Sequence, residues 1–325
     1  MTLNPYLITS MRGKRDGIAG HSERRLAIVL PSGLFAGYLG GAACWALHKL
    51  GFANVPTTIV GFSAGALTGA FWVSGQLNDH VMNLALTYHD RNRDVVRPWR
   101  IGKIFDVDRV IDSIAQDFDL ATFMASPINL LVGVATEGGH GELLDVKTAK
   151  PGPFDALKAA IAMPWPMFNR HIEVNGHLYG DQIFDPLPIE DIIKATNPTD
   201  VLIIANQPKR PIDEWRLSGA DLALAALRLT APEVAMKMLG RKARLRKALR
   251  FCEECPDINI GVLYPPSSSR GLTRDAESLR HAIIETAKAT AEAFGEQWQV
   301  LSSRATTGRP RSLRRTPKPR SNVCS

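Results

Sequence analysis

The sequence predicts an α/β protein with a mostly parallel sheet, on three observations. Leu26-Ala27-Ile28-Val29-Leu30 and Val201–Ala205 are continuous apolar runs of strand length, the pattern of strands buried on both faces. Helical stretches alternate with such runs. The β-branched run Thr57-Thr58-Ile59-Val60 stops at Gly61-Phe62-Ser63-Ala64-Gly65, and a helix-forming run follows through Val73. A Gly-x-Ser-x-Gly pattern between strand and helix lifts the serine hydroxyl out of a sharp turn. Gly61 and Gly65 are expected because side chains on both sides of Ser63 would clash.

Taken in order, residues 1–22 are polar, mixed in charge and without period, and read as a loosely ordered arm. The first strand, 26–30, ends in Pro31-Ser32-Gly33-Leu34-Phe35-Ala36-Gly37, and a helix runs on to about Leu50-Gly51. With strand 57–60 this makes a right-handed βαβ unit, whose ligands sit at the C-terminal ends of the strands. Residues 79–127 are mixed helix and loop, with Ile101–Leu120 expected over the active-site face. Ile128–Thr136 reads as a strand and Phe154–Ala162 as a helix stopped by Met163-Pro164. Asn175-Gly176 marks a hairpin between His171–Val174 and His177–Gly180, with Asp181 at its exit. Asp185-Pro186-Leu187-Pro188 then turns the chain into a helix from Ile189 to Ala195.

Arg216–Arg250 reads as helix, with Val234, Met238, Leu245 and Leu249 on one face. Seven basic residues and no acid lie between Lys237 and Arg250, which fits an amphipathic helix on an anionic membrane surface. Ile258–Leu263 is a last strand and Asp275–Gln299 a last helix. The division expected is therefore an arm (1–22), one large domain (23–303) and a disordered basic tail (304–325).

The formal charge is +7, but seven of the 39 basic residues lie from Arg304 onward, where there is no acid. The remaining body balances its 32 acids, so the basic character belongs to the tail. That tail is a second candidate for anionic lipid contact. It has no aromatic residue for stacking on bases, and no specific nucleic-acid partner is expected. Four cysteines are too few and too scattered for a disulfide scaffold. Cys252-Glu-Glu-Cys255 has the spacing of a metal pair but lacks a second pair, so no metal is expected. Ser32-Gly33-x-x-x-Gly37 lacks the Gly-Lys-Ser/Thr of a phosphate-binding loop, and no nucleotide cofactor is expected either. No leader-like or membrane-length apolar run is present, so the expectation is a cytoplasmic protein, at most peripheral on a membrane.

A serine needs a base to become a nucleophile. The one histidine after Asp181 is His281, inside a helical run rather than a loop, which argues against a Ser-His-Asp triad. A carboxylate remains. Asp181 leaves a hairpin at a Gly-Asp junction, and apolar neighbours such as Ile183 and Phe184 would raise its pKa toward that of a useful base.

Four segments in this order resemble the patatin-like phospholipase family: Leu30–Gly37, Gly61–Gly65, Ala159-Ala160-Ile161-Ala162-Met163-Pro164, and Tyr179-Gly180-Asp181 with Asp185-Pro186-Leu187-Pro188. The resemblance covers roughly residues 25–206. It implies a three-layer α/β/α fold and hydrolysis of lipid acyl esters by a Ser-Asp dyad through an acyl-enzyme. By position it makes Ser63 the nucleophile, Asp181 the base and Asp185 a structural turn residue, with Gly33 and Leu34 as candidate oxyanion-hole donors. Two features depart from the family pattern. Ala36 stands where the loop usually has arginine, and Asp181 is followed by Gln182-Ile183 rather than Gly-Gly or Gly-Ala. They leave open an alternative, a weakened lipid-binding or scaffold protein on the same fold.

Overall fold

A computed structural model describes residues 3–33, 37–77, 105–163, 171–209, 232–268 and 275–298. The chain begins with helix α1 (Pro5–Arg15), strand β1 (Leu26–Leu30), helix α2 (Gly37–Lys49), strand β2 (Thr58–Phe62) and helix α3 (Ala64–Val73). Helices α4 (Val107–Ala115) and α5 (Leu120–Ala125) precede strands β3 (Asn129–Thr136) and β4 (Gly141–Asp145). Helix α6 (Pro153–Ile161), the hairpin β5 (Ile172–Val174) and β6 (His177–Asp181), helix α7 (Ile189–Thr196) and strand β7 (Asp200–Ile204) follow. Helix α8 (Pro232–Glu254), strand β8 (Asn259–Leu263) and helix α9 (Ala276–Ala293) complete the described chain.

The eight strands form one sheet in the order β5-β6-β3-β2-β1-β7-β8, with β4 also paired to β3. β3, β2, β1, β7 and β8 are parallel neighbours; β4 and the β5–β6 hairpin run antiparallel. Alternate residues of each parallel strand enter different cores, as the two-residue period requires. Leu26, Ile28, Leu30, Ile59, Leu130, Val132, Leu202 and Ile204 join α1, α2, α3, α4 and α6 on one side. Ala27, Val29, Val60, Phe62, Val201, Ile203 and Ile260 meet Ile189 and Ile192 of α7 and Ala248 of α8 on the other. The result is the three-layer α/β/α arrangement with a mostly parallel sheet. α9 packs outside α2 through Leu279, Ile283 and Ala287.

The structure bears on three expectations. Residues 1–22 do not behave as a loose arm, because 5–15 are helical. Asn4 caps α1 by accepting from the Tyr6 N–H at 3.0 Å, with Pro5 at the first position. Leu3, Leu7 and Met11 are buried in the first core, so this segment belongs to the body. Next, α4, part of the stretch expected over the active-site face, buries Val107, Val110, Ile111 and Ile114 in the first core. Residues 101–104 lie outside the described chain. Finally, the apolar stripe of α8 packs on the sheet. Leu245, Ala248, Leu249 and Cys252 meet the second core, against the apolar face that the sheet offers. Strand β4 was not expected; Gly-Glu-Leu-Leu-Asp carries no β-branched residue. The basic tail and the 210–231 part of the expected long helix lie outside the described residues.

No helix among the described residues is long and apolar enough to cross a membrane. Cys44, Cys252 and Cys255 are free thiols. Burial holds the Cys252 thiol well up, to about 12.

Candidate active site

Ser63 occupies the turn between β2 and α3 with φ 52° and ψ −123°. A non-glycine residue at positive φ is held there against a cost of about 1–3 kcal/mol. The surroundings enforce it. A Cβ on Gly61 would lie 2.5 Å from the Cα of Ala66, and one on Gly65 would lie 2.1 Å from the carbonyl oxygen of Leu30. Both obstacles are backbone, so neither can swing away. Gly65→Ala is therefore expected to lose about 3 kcal/mol or more in urea denaturation, the upper range for overpacking. Gly41→Ala on α2 meets only Thr68 at 3.9 Å and is expected to stabilise by up to about 1 kcal/mol.

The sheet register brings Asp181 to this turn. β3 has two edges. β4 covers one of them from Leu131 to Ala135. The other edge takes β2 as far as Phe62, opposite Gly133, and then takes β6 with Asp181 opposite Val134. The strand that ends in Ser63 thus gives way, on the same edge, to the strand that ends in Asp181. The two residues are 5% and 4% exposed, so both are withdrawn from bulk water. The Asp181 N–H donates to the Ala162 carbonyl at 2.9 Å, which ties the strand end to the end of α6.

Burial pushes the Asp181 carboxyl up to about 7, while hydrogen bonding from the Ser63 hydroxyl and the charge of Arg241 on α8 pull it down. The Ser63 hydroxyl is thus within interaction range of the carboxyl. Neither carboxylate oxygen has a hydrogen bond of full geometric quality, however. The contact is a loose one of the kind that tightens when substrate fills a catalytic site.

The loop after β1 lies alongside. A Cβ on Gly37 would be 2.7 Å from the Cβ of Ala64, the residue after Ser63. Gly33 is held from the other side by Asn206, which follows β7 and is buried. The Asn206 Nδ2 donates to the Pro31 carbonyl at 2.6 Å, and a Cβ on Gly33 would meet that same nitrogen at 2.6 Å. A Cβ on Gly40 would come within 2.4 Å of its Oδ1. One amide therefore wedges between the loop and α2. Leu34 and Ala36 lie outside the described residues.

The residue after Asp181 is bulkier than the family pattern leads one to expect, and the sheet makes room for it. Gln182 is buried. Its amide lies where a Cβ on Gly141 would come within 2.3 Å, and one on Gly133 would meet its Oε1 at 3.2 Å. Asp185 closes a turn, its N–H donating to the Gln182 carbonyl at 3.2 Å. Burial raises its carboxyl; Arg244 and the Leu187 amide oppose that rise.

Asn206, Gly141 and Arg241 are site neighbours that sequence reasoning did not single out. Each meets the site across a long stretch of chain, where no local pattern marks it. Among the described residues, no group of three or more His, Cys, Asp or Glu side chains is placed to hold a metal ion.

No protein-family model and no curated protein sequence matches the chain. In structure it is similar to VipD from Legionella pneumophila, at 12% sequence identity and a TM-score of 0.41, over 84% of this chain and 67% of that one.

Proposed function

We propose that this chain is a lipid acyl-ester hydrolase of the patatin-like kind, with Ser63 as nucleophile and Asp181 as base. One observation carries the reading: the edge of β3 passes directly from the strand ending at the strained Ser63 to the strand ending at buried Asp181. Among the described residues, burial raises the Asp181 carboxyl, and the groups that oppose that rise are the Ser63 hydroxyl and the Arg241 guanidinium, with no imidazole among them.

The mechanism follows from this placement. The Ser63 Oγ attacks the ester carbonyl carbon as its proton passes to the Asp181 carboxylate. The carbonyl oxygen becomes an oxyanion, and the backbone N–H groups of Gly33 and Leu34, with the first amides of α3, are the donors that would stabilise it. Collapse of this intermediate breaks the bond to the leaving alcohol, which takes the proton from Asp181. Water then attacks the acyl-enzyme, giving its proton to Asp181, and the acid departs as Ser63 recovers its proton. An ordinary aspartate near 3.9 is a weak base for this work; a buried one near neutrality is better matched.

Labelling with a fluorophosphonate probe, read by peptide mass spectrometry, tests the assignment: an adduct is expected on Ser63 in folded protein. No adduct would favour a lipid-binding or scaffold role instead. The pH profile is a second test. Because the base works ionised, kcat/KM for a short-chain p-nitrophenyl ester is expected to be flat on the alkaline side and to fall about tenfold per pH unit below a midpoint near 7.

A further inference from the structure

Three of the α8 cations do not face solvent as a row of free charges. Lys237, Arg241 and Arg244 fall at i, i+4 and i+7, on one side of the helix, and all three reach the body. Arg241 Nε donates to the Ile183 carbonyl at 2.8 Å, and Arg244 Nη2 donates to the Phe184 carbonyl at 2.8 Å. Lys237 Nζ donates to the Gly139 carbonyl and sits 5.2 Å over the Phe184 ring. Between them, buried Met238 packs with Phe184, Ala135 and Ile183.

Residues 183 and 184 lie immediately beyond the end of β6, where no strand ladder accepts or donates for the backbone. Carbonyls withdrawn from water need donors, and charge-assisted donors hold them more firmly than neutral ones. The guanidinium groups supply these from a helix 58 to 60 residues further along the chain. Arg241 also places its charge where the Asp181 carboxyl feels it, and both arginines act on Asp185.

We infer that Arg241 and Arg244 are positioning residues for Asp181: by holding the 183–184 backbone they fix the direction of its carboxylate toward Ser63. This rests on the reading of Asp181 as the base. Among the described residues, Asp181 meets Ser63 from the elbow, Arg241 from α8, uncharged Val134 from β3 and the Ala162 carbonyl from the end of α6, while His171 lies against the neighbouring Gly180. On β4, Glu142 is engaged elsewhere, accepting from the Tyr179 hydroxyl at 2.8 Å.

The test uses the full chain with Arg241→Gln, Arg241→Lys and Arg244→Gln, and Lys247→Gln as the control. Lys247 is exposed and pairs with Glu190. Arg241→Gln is expected to lower kcat roughly tenfold with KM little changed, as misplacement of a catalytic group does. It is also expected to move the acidic limb of the pH profile upward by about 0.5–1 unit. Arg241→Lys keeps the charge, so the limb stays in place, but it recovers only part of kcat because an ammonium lacks the planar fork. Arg244→Gln lowers kcat with a smaller shift of the limb, and Lys247→Gln changes neither. Folded Arg241→Gln and Arg244→Gln variants with the parent's kcat and limb would overturn the inference. If the parent hydrolyses no ester, the proposed function fails but this inference is still measured. Carboxyl NMR of Asp181, assigned with Asp181→Asn, must show a higher pKa in Arg241→Gln, and an unchanged value sinks it.

Discussion

Ser63→Ala and Asp181→Asn are each expected to reduce kcat for a short-chain p-nitrophenyl ester by on the order of 10⁴–10⁶-fold, as loss of one member of a cooperating set does in serine hydrolases. Removing the hydroxyl removes the atom that forms the acyl-enzyme. Removing the charge of Asp181 leaves nowhere for its proton to go. The stability of the two variants distinguishes chemistry from misfolding. The folded pKa of Asp181 stands above its unfolded value because burial penalises the charged form. The folded state therefore holds its proton more tightly, and this group's contribution to stability is lost as pH rises from the unfolded pKa to about 7. A neutral amide escapes that loss. Asp181→Asn should accordingly melt no lower than the parent above neutrality, while being inactive. Equal turnover in parent and both variants would end the proposed mechanism; a sharply lower Tm for Asp181→Asn would contradict the burial argument.

Asp200→Ala is expected to destabilise the fold by about 3 kcal/mol, the low end of the range for breaking a buried pair, because the Arg24 side chain is 31% exposed and can rehydrate. For a chain of this size that corresponds to a Tm drop of roughly 5 °C. Asp200 opens β7 and is 1% exposed. Arg24 grips it with two hydrogen bonds, Nε at 2.7 Å and Nη2 at 2.8 Å. The Ser10 hydroxyl of α1 (3.1 Å), the Thr199 hydroxyl (2.8 Å) and the Asn259 amide of β8 (3.0 Å) complete its shell. One carboxylate thus joins α1, the approach to β1, β7 and β8. Burial acts to raise its pKa, but the hydrogen bonds from Arg24, Asn259 and Thr199 outweigh that and leave it lowered. A lowered folded pKa means stability that is present above the unfolded pKa and is lost as pH falls through the folded value. Thermal melts across the acidic range should show parent and Asp200→Ala converging at low pH. A constant gap between them would refute the ionic account. Because Asp200 lies at the start of β7 and the dyad lies beyond the end of β2, the variant's surviving folded fraction should retain the parent's KM.

Much of the architecture is written in short stretches of chain. The buried strands are legible because a strand covered on both faces must be apolar at every position, as 26–30 and 200–204 nearly are. The elbow is legible because two glycines at that spacing answer a steric demand, and the contacts at Gly61 and Gly65 are of that kind. Helix α1 had its own signal in Asn4-Pro5 and the Leu3, Leu7, Met11 spacing; the surrounding charges masked it. Strand β4 had almost none, since an edge position half in solvent asks little of its residues. The cations of α8 show the limit most clearly. Composition shows seven of them on a stretch with no acid, but not which carbonyls three of them will meet.

By itself, the sequence determined what each segment can be: which runs are strands, where the turn at Ser63 must be sharp, and which carboxyl lies at a hairpin's exit. These depend on sterics and apolar spacing within a few residues. Only the tertiary structure decided that β2 and β6 share one edge of β3, that Asn206 braces the loop before α2, and that Arg241 stands within electrostatic reach of Asp181. Burial and electric field at one carboxyl are sums over groups brought from every part of the chain, so no single stretch contains them.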